Sequence, residues 1–113
     1  METKNVINAL AALAHDSRLA IFRTLVQAGP AGLSAGKIGE ATGIPPSSLS
    51  FHMKELTYSG MVTASPQGRF VIYNANFTTI NALVAFLTEN CCGGNPCTPV
   101  CHPVCTTTEG SSL

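Results

Sequence analysis

The chain predicts a mostly helical fold in which helices dominate and a single small β-hairpin interrupts them. Three observations carry that expectation. Apolar residues recur at helical spacing in five segments between Val6 and Leu87. The period changes once, between Met61 and Tyr73, to β-rich runs on either side of a turn. Glycine and proline stand where one segment should give way to the next. With 113 residues the chain has the length of one domain. Residues 1–90 are expected to fold as that domain, and 91–113 to form a flexible, cysteine-rich tail.

Taken in order, Val6, Ile7, Leu10, Ala11, Leu13 and Ala14 mark a first helix. Asp16 reads as the N-cap of a second, which runs through Leu19, Ala20, Phe22, Leu25 and Val26 and stops at Gly29-Pro30. Ser34 caps a third short helix, with Ile38 and Ala41 inward and Thr42-Gly43 at its end. Pro45-Pro46 introduces a fourth, since proline at a first helical position gives up only an N–H that would be unpaired there. Its apolar stripe is Leu49, Met53 and Leu56, and Gly60 ends it. Val62–Ser65 and Arg69–Tyr73 then read as two strands around a turn at Pro66-Gln67-Gly68. A fifth helix spans Phe77 to Leu87 through Ile80, Leu83 and Val84. Beyond Asn90 the composition of Gly, Pro, Thr, Ser and Cys cannot build a core.

Composition narrows the classes of function. At 45% hydrophobic and 11% charged residues, with zero formal net charge, the molecule has no strong field to draw it onto nucleic acid or membrane as a whole. No apolar run is long enough to span a bilayer, and the N-terminus lacks the layout of a signal peptide, so a cytoplasmic location is expected, with no membrane partner. In that compartment clustered cysteines act as ligands or redox sensors more often than as structural disulfides. No acid–base pair, phosphate-cradling glycine loop or Cys–His couple stands in the body of the chain, so no enzyme and no organic cofactor are expected.

A short helix, a glycine-containing turn, a second helix with a polar face and then a hairpin make a winged helix-turn-helix, whose second helix enters the DNA major groove. Here that helix would place Ser47, Ser48, Ser50, Phe51, His52 and Lys54 on its outward and flanking faces. Small hydroxyls suit phosphates or bases, Lys54 suits a phosphate, and Arg69 at the hairpin tip suits the backbone or minor groove. Leu13-Ala14-His15-Asp16-Ser17-Arg18-Leu19-Ala20-Ile21-Phe22 is close to the "ALADPTRLRIL" opening of the ArsR/SmtB family of metal-responsive repressors. Ser50-Phe51-His52-Met53-Lys54-Glu55-Leu56 with Ser59-Gly60-Met61-Val62 matches that family's "SxHLxxL…AGLV" pattern, with Met53 in place of the usual Leu. The chain thus resembles this family over roughly residues 5 to 88. The resemblance implies a homodimer formed by the first and last helices, each subunit presenting one reading helix to half of an inverted repeat in double-stranded operator DNA.

The family's arsenic-sensing Cys-x-Cys pair has no counterpart in Leu33–Glu40, which contains no cysteine, and its zinc-sensing pattern is missing from Phe77–Glu89, where only Glu89 is a candidate ligand. All five cysteines lie in the tail, at positions 91, 92, 97, 101 and 105. Cys91, Cys92 and Cys97, brought together by the flexible Gly93-Gly94-Asn95-Pro96, offer three soft sulfurs suited to a thiophilic ion. Trivalent arsenic and antimony take three thiolates. Zinc, cadmium or lead would draw a fourth ligand from Cys101, His102 or Cys105, and a thiol-redox sensor would pair the same cysteines. Some arsenic repressors of this family carry a vicinal pair after the last helix and a third cysteine further on. That likeness points to As(III) or Sb(III) as the inducer on Cys91, Cys92 and Cys97, with Cys101 and Cys105 as further candidates.

Overall fold

The fold is seen in a computed structural model that describes residues 1–89. Its helices are α1 (Thr3–Leu13), α2 (Asp16–Ala28), α3 (Ala35–Thr42), α4 (Pro46–Tyr58) and α5 (Phe77–Leu87). A 3₁₀ turn (Gly29–Ala31) and three strands, β1 (Leu33–Ser34), β2 (Val62–Gln67) and β3 (Phe70–Ala75), complete it. The strands form an antiparallel sheet in the order β1-β3-β2. Among the described residues no helix is long and apolar enough to cross a membrane.

The third strand extends the expected hairpin. Ser34 serves two elements at once. Its hydroxyl accepts the Lys37 N–H to cap α3, while its backbone lies opposite Ile72 of β3. Gly32, just before β1, has φ 69° and ψ −175°, a region that is nearly glycine-only. A Cβ there would lie 2.6 Å from the Tyr73 carbonyl oxygen and 2.6 Å from Asn74 Nδ2, so the close approach of β1 to β3 requires glycine. Asn74 adds a bond across the same junction, its Nδ2 donating to the Pro30 carbonyl at 3.0 Å.

The hairpin turn also falls later than the sequence suggests. Gln67 pairs with Phe70, leaving Gly68-Arg69 as a two-residue connection, with Gly68 supplying the positive φ (64°) that such tight turns demand. Pro66 lies within β2, opposite Val71. It is tolerated because β2 is an edge strand, so a missing N–H need not break a ladder on its outer side.

Helix ends follow local chemistry. The N-cap of α2 is His15 rather than Asp16: its Nδ1 accepts the Ser17 N–H at 3.1 Å, and Asp16 contributes its charge to the first turn. Gly43, left-handed at φ 75°, closes α3 by donating to the Gly39 carbonyl at 2.8 Å. Asn76 joins three elements: its Oδ1 caps α5 at the Thr79 N–H, its Nδ2 donates to the Gly60 carbonyl after α4, and its N–H donates to the Met61 carbonyl.

Ile21 and Leu25 of α2, Ile38 of α3, Leu56 of α4, Met61 just before β2 and Val62 at its start are fully buried and hold the helix pair α3–α4 onto α2 and the sheet. Each such side chain contributes roughly 2 kcal/mol relative to exposure. Of the residues expected inward in α3, Ile38 is buried and Ala41 is not. In α1, Val6, Ala9 and Ala12 face the core while Ile7 and Leu10 face out.

Candidate DNA-reading surface

Positions i, i+3, i+4 and i+7 of α4 turn inward: Leu49, His52, Met53 and Leu56 are buried. That leaves Ser47, Ser48, Ser50, Phe51 and Lys54 exposed, as expected of the reading face. His52, expected on that face, is the exception. It is only 7% exposed, so it lies on the core side of the helix and not on the outward face. Its ring centroid lies 4.7 Å from that of His15 and 5.7 Å from that of Phe51, the latter pair T-shaped. Its Nδ1 has no hydrogen-bond partner among the described residues. Burial first, and then the nearby charges of His15 and Arg18, hold the His52 pKa below the ordinary 6.5. Arg18 of α2 reaches Glu55 of α4 at 3.9 Å, a loose ion pair beside the same seam.

The spacing of α4 carried the signal for His52, which lies three residues after Leu49 and four before Leu56. Two further surface groups were not expected from the sequence. Tyr58 continues the line Ser47, Phe51, Lys54 along the helix and is exposed, and Phe70 is exposed beside Arg69 at the tip of the wing. Arg69 itself sits in the exposed β2–β3 turn.

The N-terminus of α4 is open. Pro45 and Pro46 bring no side-chain cap, so the Ser47 and Ser48 N–H groups and hydroxyls stand at the positive end of the helix dipole, where a phosphate is favoured. Polar side chains along one helix, a cation at its middle and another on the wing can contact backbone and base edges together. Among the described residues no group of three or more His, Cys, Asp or Glu is placed to hold a metal ion. The proposed ligands Cys91, Cys92, Cys97, Cys101 and Cys105 lie outside the described residues.

A short helix, a three-residue turn, an exposed polar helix and a β-wing define a winged helix-turn-helix of the DNA-binding class. Comparisons with known proteins agree. Residues 13–63 match the helix-turn-helix domain family. The HTH-type transcriptional regulator YgaV of Escherichia coli (strain K12) is 29% identical over 83 residues, 74% of this chain and 82% of that protein. An ArsR-like transcriptional regulator from Rhodococcus sp. RHA1 shares the fold with a TM-score of 0.68 at 23% identity, over 76% of this chain and 78% of that one. The homodimeric winged helix-turn-helix DNA-binding domain of Mb0332 from Mycobacterium bovis, a possible ArsR-family regulator, matches with a TM-score of 0.61. It is 25% identical over 81% of this chain and 85% of that one. Together the domain match and the structural relatives agree on a winged helix-turn-helix of the kind found in transcriptional regulators. Its relatives are transcriptional regulators, not enzymes.

Proposed function

We propose that this protein is a homodimeric repressor that binds an inverted-repeat operator and leaves it on capturing trivalent arsenic or antimony. The observation that carries the DNA-binding part is the exposed polar face of α4, with its uncapped N-terminus and the Arg69 wing beside it. Dimerisation through the first and last helices is supported by the apolar side chains they leave exposed, Ile7 and Leu10 on α1 and Val84 and Leu87 on α5. The homodimeric relative from Mycobacterium bovis points the same way.

The inducer reading rests on ligand chemistry. The first 90 residues contain no cysteine, and in the sequence Cys91, Cys92 and Cys97 come shortly after the end of α5 at Leu87. Three thiolates satisfy As(III) or Sb(III), and their capture at the end of a dimerising helix would favour a spacing of the two reading helices that no longer fits successive major grooves. Linkage requires only that the ion bind the DNA-free form more tightly than the DNA-bound one. A coupling of about 3 kcal/mol would weaken operator affinity on the order of a hundredfold.

The test is fluorescence anisotropy of the reduced protein on DNA from upstream of its own gene, titrated separately with As(III), Sb(III), Zn(II), Cd(II) and Pb(II). Release by As(III) or Sb(III), lost in Cys91→Ser, Cys92→Ser and Cys97→Ser, is the expected outcome. Release only by a divalent ion, or only after an oxidant is added, would transfer the cysteines to a metal-sensing or redox role.

A further inference from the structure

The reading helix has an unusual inventory for direct readout. The side chains that recognise single base pairs through paired hydrogen bonds are Arg or Lys for guanine and Asn or Gln for adenine. Pro46–Tyr58 contains no Arg, Asn or Gln. Lys54 is the helix's one cation, and Glu55 is turned toward Arg18 of α2. Thr57 donates its hydroxyl to the Met53 carbonyl at 2.7 Å, within the helix's own backbone. Ser47, Ser48, Ser50 and the terminal Tyr58 remain, and a hydroxyl both donates and accepts, so it distinguishes bases weakly.

Phe51 stands among these polar groups. It is 56% exposed, packs T-shaped against the His52 ring, and lies on the same line of the helix as Ser47 and Lys54. The major groove presents a single apolar group, the C5-methyl of thymine. A phenyl ring on the face that meets base edges gains by covering that methyl and loses by covering a polar edge.

Resting on the DNA-binding reading above, we propose that Phe51 is a specificity-determining residue that reads the C5-methyl group of one thymine in each operator half-site. An A·T pair is thereby selected from its thymine side, by apolar contact, because the helix has no amide side chain to select it from the adenine side. Lys54, one turn further along, accounts for the remaining strong preference, for guanine O6 and N7 or for phosphate.

Duplexes selected by the full-length reduced protein from a random library define the half-site. Thymines in it are then replaced one position at a time, in both half-sites, by deoxyuridine, which removes the methyl and leaves the hydrogen-bonding edge intact. One position is expected to lose affinity by about fourfold per half-site, the worth of one methyl withdrawn from apolar contact, and on the order of sixteenfold for the symmetric pair. Phe51→Ala should bind thymine and deoxyuridine duplexes equally, while Phe51→Leu keeps the preference. A half-site without a methyl-sensitive thymine, or a preference that persists in Phe51→Ala, would overturn the proposal with DNA binding itself intact. Failure to select any duplex would remove the DNA-binding reading and this proposal with it.

Discussion

His52 shows how one side chain changes role once its neighbours are known. A histidine on a helix that otherwise presents serines and a lysine reads as a surface group. Yet it occupies the inner position between Leu49 and Met53, against His15 at the start of α2. Its burial has a pH consequence. Desolvation, with His15 and Arg18 nearby, lowers its pKa from 6.5 in the folded protein, so the unfolded chain binds the proton more readily. The contribution is therefore fully present above pH 6.5 and is lost as pH falls from 6.5 through the lower folded value. Urea unfolding between about pH 7.5 and pH 5.5 should show the midpoint falling with acidification, with a shallower fall in His52→Gln. Equal slopes in the two proteins would assign the effect to other groups.

At the scale of elements, the junction of the 3₁₀ turn with β1 separates what local pattern can foretell from what pairing decides. Leu33-Ser34 reads correctly as the entry to α3, but a two-residue strand has no periodicity to display, and its partner β3 lies far along the chain. Gly32 makes that pairing possible, and Gly29 supplies an internal comparison. Both have positive φ (69° and 71°), but a Cβ at Gly29 would meet nothing within 4 Å, whereas at Gly32 it would strike the Tyr73 carbonyl. Gly29→Ala is expected to cost the backbone strain alone, about 1–3 kcal/mol. Gly32→Ala should cost a further 1–3 kcal/mol or so, because the obstacle is backbone and cannot rotate away. Chemical denaturation of the two variants measures the difference, and similar midpoints would mean that β1 yields without resistance.

For the whole molecule, zero net charge limits the attraction DNA exerts at a distance, so the proposed repressor would depend on engaging two reading helices at once. The exposed apolar residues of α1 and α5 are then central, Ile7 being 58% and Leu87 59% exposed in the single chain. Leu10→Glu and Leu87→Glu should yield monomers by sedimentation velocity, with unchanged far-UV circular dichroism. Operator affinity should fall by roughly two orders of magnitude, the usual worth of a second tethered contact. Dimers that persist in both variants would place the interface elsewhere.

Local pattern is enough for the order of helices and hairpin, the helix-turn-helix with Ser47, Ser48, Ser50, Phe51 and Lys54 outward, and the crowding of every cysteine after position 90. These follow from local causes: apolar periodicity, capping residues and composition all act within a few positions along the chain. Only the assembled fold sets the contact of His52 with His15, the third strand, the strand position of Pro66 and the outward turn of Ile7 and Leu10. Each depends on which distant element lies opposite, and a short-range pattern holds no information about a partner that only the fold brings near.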